Sequence, residues 1–373
     1  MSGSKSGLPD ILDNVRRVTS IQPEEFIENH LLSQQPVIIT DTQAGAEISA
    51  VTTQEAVVKA FGDVVIQVQR NYTSPLSRNA AEARRQGLSQ KVRNRIEEMR
   101  LEEYLAHVDA DPQTDLLCVE YRTPERIHDA LRVPDVCALP GAAEDLVSFT
   151  FVANRGNYAH LHFDGDFREV LLYQVFGRKR VVMVPLAAQE KISPSMNFSK
   201  VLLQNMAAEE KLDLLRYLGA YDCVISPGEA VYFPASIWHY VEYLDTGMSV
   251  NFRFGRDDFA RKVVDANRVP FYPELHQLLS LLKEVPETPE RAGLQDKIWT
   301  EISSTLRQEH TDSRARHRAT QEMYRRLVAD LLAPGELPRQ VATDCPVAEQ
   351  MAVERHDAPS KRWREELMLG DPL

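Results

Sequence analysis

The residues that could do chemistry cluster in one run, Tyr158-Ala159-His160-Leu161-His162-Phe163-Asp164-Gly165-Asp166. Side chains on a strand alternate between faces, so His160, His162 and Asp164 are expected to point the same way. An imidazole and a carboxylate two residues apart can fill neighbouring corners of a metal's coordination sphere. One more imidazole from an adjacent strand completes a facial set of three and leaves positions open, as oxygen chemistry at iron requires. The candidate for that imidazole is His239, at the end of Gly228-Glu229-Ala230-Val231-Tyr232-Phe233-Pro234-Ala235-Ser236-Ile237-Trp238-His239. There a glycine turn, an apolar strand and a proline set the imidazole at the start of the next strand. A His-x-Asp triplet alone arises often by chance; the downstream Gly-x5-Pro-x4-His gives it weight. A rival donor set of His160, His162 and His239, without the carboxylate, stays open at this point.

These residues need a scaffold, and the middle third of the chain supplies strands. Ser148–Ala153, Glu169–Phe176, Lys179–Pro185, Asp222–Ile225, Ala230–Pro234, Trp238–Tyr243 and Met248–Phe254 read as short strands broken by turn residues, the pattern of an antiparallel barrel or jelly roll. Upstream, Pro23 opens a helix with acids in its first turn, Val37–Thr40 reads as a buried strand, and a helix over Thr53–Phe61 precedes a strand at Val64–Gln69. The charged stretch Arg78–Glu103 follows, with helical periodicity from Gln90 to His107. It reads as a solvated surface helix or as a flap that helps choose the substrate. One helix is expected at Ala207–Leu218. Beyond Pro270 the strands stop, and helices are expected over Glu274–Lys283, Pro289–Gln308 and Arg314–Leu332, the last closed by Pro334-Gly335. The domain reading is a flexible N-terminus over 1–20, a β domain over 21–265 and a helical C-terminal domain over 270–373.

Composition bounds the partners. Of 373 residues, 43 are Lys or Arg and 55 are Asp or Glu, a net charge of −12. That balance argues against general nucleic-acid binding, which needs clustered cations. The four cysteines, Cys118, Cys137, Cys223 and Cys345, are dispersed and form no C-x-x-C pair, so neither a disulfide framework nor a cysteine zinc site is expected. No apolar run is long enough for a membrane span, and Met1–Pro9 lacks the apolar core of a secretory signal. The expectation is a cytoplasmic protein.

The run His162-x-Asp164, then Leu171–Pro185 with its Gly177-Arg178-Lys179, then Gly228–His239 and Ser249-Val250-Asn251-Phe252 resembles the JmjC or cupin-like group of iron(II)- and 2-oxoglutarate-dependent oxygenases. The resemblance runs from about Ile21 to Gly255. It implies a mainly β fold, a double-stranded β-helix (jelly-roll or cupin) core, with helical additions and a C-terminal helical domain. It implies iron(II) on His162, Asp164 and His239, with 2-oxoglutarate as cosubstrate. It assigns Lys179 to the cosubstrate's distal carboxylate, since a buried carboxylate must be paired. On its strand Lys179 shares parity with Val181 and Met183, which would face the interior, with Arg178 and Arg180 facing out. Asn251 is expected near the cosubstrate, and Tyr158 and Tyr173 are candidate hydroxyl donors to it, or barrel packing. Ala159 departs from the Thr or Ser that many relatives place before the motif. The implied activity is a hydroxylase of a protein, peptide or amino-acid side chain; a small-molecule substrate also fits the family. The C-terminal helices imply a homodimer. Two rival readings are a 2-oxoglutarate-independent cupin using His160, His162 and His239, and a catalytically idle scaffold.

Overall fold

A computed structural model describes residues 10–42, 44–70, 96–114, 116–137, 145–267, 271–310 and 312–332. The strands are β1 (Arg16–Val18), β2 (Val37–Ile39), β3 (Val65–Arg70), β4 (Ile96–Arg100), β5 (Leu116–Arg122), β6 (Val147–Ala153), β7 (Tyr158–His162), β8 (Glu169–Phe176), β9 (Lys179–Val184), β10 (Pro194–Ser195), β11 (Phe198–Ser199), β12 (Tyr221–Ile225), β13 (Ala230–Phe233), β14 (Trp238–Tyr243) and β15 (Gly247–Phe254). They form a nine-stranded sheet in the order β1-β2-β13-β8-β15-β6-β5-β3-β4 and a six-stranded sheet in the order β10-β11-β7-β14-β9-β12. From β6 to β9, and again from β12 to β15, successive strands switch sheets. This interleaving is the double-stranded β-helix, a mainly β jelly roll with helical additions.

Alternation sorts the side chains into layers. Val170 and Leu172 on β8, Val181 and Met183 on β9, Cys223 and Ile225 on β12, and Val231 and Phe233 on β13 pack together between the sheets. The opposite face of the large sheet, including Leu171, Tyr173 and Val250, packs on Phe26, Phe61, Tyr104 and other residues of the N-terminal segments. The outer face of the small sheet, through Val182, Val184, Trp238 and Tyr240, packs on Leu215 and Leu218 of the helix Ala208–Leu218. Arg180 lies on that outer face as expected, yet it is buried, because it is paired with the fully buried Asp222 at 2.8 Å.

One expected element is corrected. Within the stretch read as a single helix from Gln90 to His107, the described residues form a strand over Ile96–Arg100 and then a helix over Leu101–Ala110. Ile96–Arg100 is held by antiparallel pairing with Gln69–Val65, so backbone pairing overrides a helical spacing of apolar residues. Glu103 then accepts the Arg100 N–H and helps start the helix. The rest of the charged stretch, the Met1–Gly7 tail, Cys345, Pro270 and Pro334-Gly335 lie outside the described residues.

After β15 come helices over Asp258–Ala266, Pro273–Glu284, Pro289–Arg307 and Ser313–Leu331. Asp257, Thr288 and Asp312 each cap one by accepting a backbone N–H. Their apolar faces share a core with Phe167, Met196 and Ala235 of the β region. Glu169 at the start of β8 is fully buried and accepts from Tyr232, from the Ala235 amide and from Lys283 of the helix Pro273–Glu284. That contact ties the helices to the strands next to the His239 turn. Among the described residues no helix is long and apolar enough to cross a membrane.

Candidate metal centre

β7 and β14 are paired, and their register places His162 opposite His239. Asp164 follows β7 by two residues. The three side chains converge: one donor atom from each of His162, Asp164 and His239 lies within 4.8 Å of the others. The two imidazole rings are 4.3 Å apart at their centroids, and His162 Nε2 is 3.6 Å from Asp164 Oδ1.

The backbone fixes which imidazole nitrogen faces inward. His162 Nδ1 donates to the His160 carbonyl at 2.6 Å, and His239 Nδ1 donates to the Ile237 carbonyl at 3.1 Å. A carbonyl can only accept, so both Nδ1 atoms carry the proton in these bonds. Each Nε2 is then left to offer its lone pair, as metal-ligating histidines do. Burial pushes the His239 pKa down to about 4, which keeps it neutral. Burial works to raise the Asp164 pKa, but the Arg253 guanidinium and the His162 contact hold it well below the usual carboxylate range. For His162, burial is outweighed by the Asp164 carboxylate beside it, which raises its pKa. Two imidazoles and one ionised carboxylate converging within 4.8 Å suit a divalent metal with open positions.

His160 does not join this set. Two residues of β7, His160 and Leu161, lie between the positions opposite Val241 and His239, whereas β14 has only Tyr240 there. This bulge breaks the alternation. His160 therefore leaves the face of His162, and its Nε2 donates to the Ser199 carbonyl at 2.6 Å. The expectation that His160, His162 and Asp164 point the same way fails at this extra residue, and the three-histidine donor set is not assembled.

Deeper in the same interior sits Lys179. On β9 it pairs with Tyr243 of β14, four residues from the Met183–His239 pair, about 13 Å along the strand. The side chain is only 2% exposed. Its Nζ donates to Ser249 Oγ at 2.5 Å and lies 4.1 Å from the Tyr243 ring centre. Among the described residues no carboxylate pairs with it. Burial pushes its pKa well below the usual lysine value. Two further buried acceptors on neighbouring strands are unpartnered: Gln174 Oε1, on the residue opposite Ser249, and Asn251 Oδ1, two residues along β15. A buried ammonium with no carboxylate partner among the described residues fits one end of a dicarboxylate.

β15 lines this interior. Met248, Val250, Phe252 and Phe254 turn to the outer core, so Ser249, Asn251 and Arg253 turn inward. Tyr173 does not. On β8 it shares parity with Leu171 and Val175 and packs in the outer core, where its hydroxyl meets Ser49. Strand parity therefore carries Tyr173 away from Lys179, and Tyr243, Ser249 and Gln174 stand there instead. Tyr158 stacks on Tyr240 outside the barrel. Sequence reasoning missed Arg253 and Gln174. The signal was available for the first: Ser249, Asn251 and Arg253 are polar residues at every second position among apolar ones.

This fold and site define a class. The cupin-like domain family model matches residues 23–258, well over half of the chain, and the chain belongs to this JmjC/cupin-like family. Among curated proteins it is similar to lysine-specific demethylase 8 of Xenopus tropicalis, 29% identical over 32% of this chain and 28% of the relative. It is also similar to lysine-specific demethylase JMJ30 of Arabidopsis thaliana, 30% identical over 34% of this chain and 30% of the relative, and to Jumonji C domain-containing protein 5 of Drosophila melanogaster, 27% identical over 34% and 32%. Each match spans about a third of the curated relative's length.

Proposed function

We propose that this protein is an iron(II)- and 2-oxoglutarate-dependent oxygenase in which His162, Asp164 and His239 hold the iron and Lys179 receives the distal carboxylate of 2-oxoglutarate. One observation carries the reading: a two-imidazole, one-carboxylate set shares an interior with a buried ammonium that lacks a carboxylate. Iron bound there would supply dioxygen activation coupled to decarboxylation of 2-oxoglutarate to succinate. The protein's own part is positional. The Nδ1 bonds of His162 and His239 hold both rings with Nε2 inward. Lys179 and Ser249 orient the cosubstrate from its far end, and Asn251 offers it a polar contact. Phe149, Phe151 and Phe233 stand against Arg253, Lys179 and His239 and offer apolar surface that would exclude water.

The oxidation is hydroxylation of a C–H bond in a protein, peptide or amino-acid side chain. Two of the relatives are named for lysine demethylation, but their matches cover only about a third of each. The buried free thiols Cys118, Cys137 and Cys223 are in keeping with a cytoplasmic location. A homodimer through the C-terminal helices is part of the proposal, supported by Leu294, Trp299 and Leu306, which are only partly covered. Light scattering of the eluted protein gives its mass and tests the dimer.

The function is tested by turnover without an added prime substrate. Protein loaded with iron(II) should convert 2-oxoglutarate to succinate, and His162→Ala or Asp164→Ala should lower the rate at least about 100-fold. Undiminished turnover in both variants sinks the assignment. A folded wild-type protein that binds neither iron(II) nor 2-oxoglutarate favours the scaffold reading.

A further inference from the structure

Arg253 is the interior side chain that none of these roles uses. Its side chain is 8% exposed and stands over the Phe149 ring, 5.0 Å from its centre. Three carboxylates surround it. Nη2 bonds Glu120 Oε1 at 2.5 Å and lies 3.3 Å from Asp164 Oδ2, and Nη1 is 3.5 Å from Asp166 Oδ2. The Asp164 contact is specific to one oxygen. Oδ1 faces His162 Nε2, and Oδ2 faces the guanidinium.

The guanidinium is itself held from both sides. Asp166 is gripped by Arg168 at 3.0 Å, Arg168 by Asp145 at 2.7 Å, and Asp145 also by Arg256 at 2.9 Å. On the other side Glu120 sits at the bulge of β5, at φ +51°, a conformation that a non-glycine side chain adopts at a cost and that the surrounding structure must impose. That strain aims its carboxylate at Arg253. A planar fork with several fixed donors, packed on a ring and braced by neighbours, is a rigid element. The Asp166–Arg168–Asp145–Arg256 chain is already balanced without Arg253. Among the described residues, Arg253 is the one cation that reaches from that chain to Asp164.

We propose that Arg253 is a positioning residue that reserves the outer oxygen of Asp164, so that this carboxylate offers a metal one oxygen and not two. The inference rests on the metal-site reading given above. Its chemical consequence is coordination number. With His162, His239 and one oxygen of Asp164 as donors, an octahedral ion keeps about three positions open. If Asp164 turned its second oxygen to the ion, about one of those positions would close. A buried carboxylate oxygen without Arg253 has that turn as its best alternative, because the divalent ion is then the nearest positive charge.

The test uses manganese(II) as the probe and counts metal-bound water from the enhancement of water-proton relaxation, on the full chain without 2-oxoglutarate. The wild type should bind manganese with about three exchangeable waters. Arg253→Gln should bind it with about one water fewer, and the cobalt(II)-substituted forms should differ in the position of their visible absorption bands. Arg253→Lys keeps the charge of the cluster but cannot hold Glu120, Asp164 and Asp166 at once, so it too should lose water relative to the wild type. It also serves if Arg253→Gln does not fold. A folded variant with the wild-type water number and cobalt spectrum overturns the proposal, even if its denaturation midpoint has fallen, because that would be a structural role only. A wild-type protein that binds no manganese or cobalt overturns the metal-site reading itself, and this inference with it. The two failures are therefore distinct.

Discussion

The two ends of the barrel interior each contain a buried cation, and they differ in how it is compensated. At the mouth, Arg253 is surrounded by Glu120, Asp164 and Asp166. At the depth, Lys179 has a hydroxyl and aromatic faces but, among the described residues, no carboxylate. A buried charge is tolerated when it is paired and costly when it is not. The charge of Arg253 is thus already compensated, and the guanidinium serves to hold the geometry of Asp164. The depth is incomplete until an anion arrives. The same contrast separates the choice of residue: a rigid fork where several carboxylates must be fixed, and a point charge on a flexible stem where one ligand must be met.

The sharpest way to break this comparison is Lys179→Met. If the depth is built for an anion, the variant should lose 2-oxoglutarate affinity by at least about 30-fold, the equivalent of 2 kcal/mol or more. Without ligand it should be more stable than the wild type by about 1–3 kcal/mol, since an unpaired buried ammonium is replaced by an apolar side chain of similar length. Affinity is read by calorimetry and stability by chemical denaturation. The opposite signs are the point: a purely structural Lys179 would lose stability when replaced and leave the affinity alone.

A smaller effect concerns protons. Burial holds the Lys179 pKa well below the ordinary lysine value, and a bound dianion favours the charged form and raises it again. Binding of 2-oxoglutarate to the metal-loaded protein should therefore take up protons, up to about one per site, once the pH exceeds the pKa of the free site. Below that pKa Lys179 is already charged and the uptake vanishes. Calorimetry in buffers of different ionisation enthalpy measures it. Uptake that does not grow with pH would mean that Lys179 is not the group that meets the ligand.

Much of this architecture was legible because alternation is a strong signal. The strands from Ser148 to Phe254 and the parity of Lys179 with Val181 and Met183 follow from apolar period and turn residues alone. What failed was local. The extra residue in β7 has no mark in Tyr158–Asp164, since a bulge is set by the partner strand and not by the bulged sequence. His160 was therefore placed on the wrong face. Arg180 was put on the correct, outward face, but its burial there was not legible, because the Asp222 that neutralises it is distant in sequence. The helix over 90–107 failed for the same reason: β4 exists through its pairing with β3.

The smallest prediction tests the sorting of faces. Tyr173, like Tyr158 a candidate for the cosubstrate from sequence, is turned outward by the fold, into the core beside Phe26, Phe61 and Tyr232. Its hydroxyl meets Ser49 there, and burial raises its pKa. Tyr173→Phe removes one neutral hydrogen bond and leaves the ring in place, so stability should fall by about 1 kcal/mol, while 2-oxoglutarate affinity stays within about twofold of the wild type. Ser249→Ala is the counterpart on the inner face. It removes the partner of Lys179 Nζ and should weaken 2-oxoglutarate binding by about 10-fold, as the loss of a hydrogen bond to a charged group does. If Tyr173→Phe weakens binding as much as Ser249→Ala does, the division between outer core and inner pocket is not the one that governs the cosubstrate. The parity of β8 would then have to be broken in solution near Tyr173, as that of β7 is broken at His160.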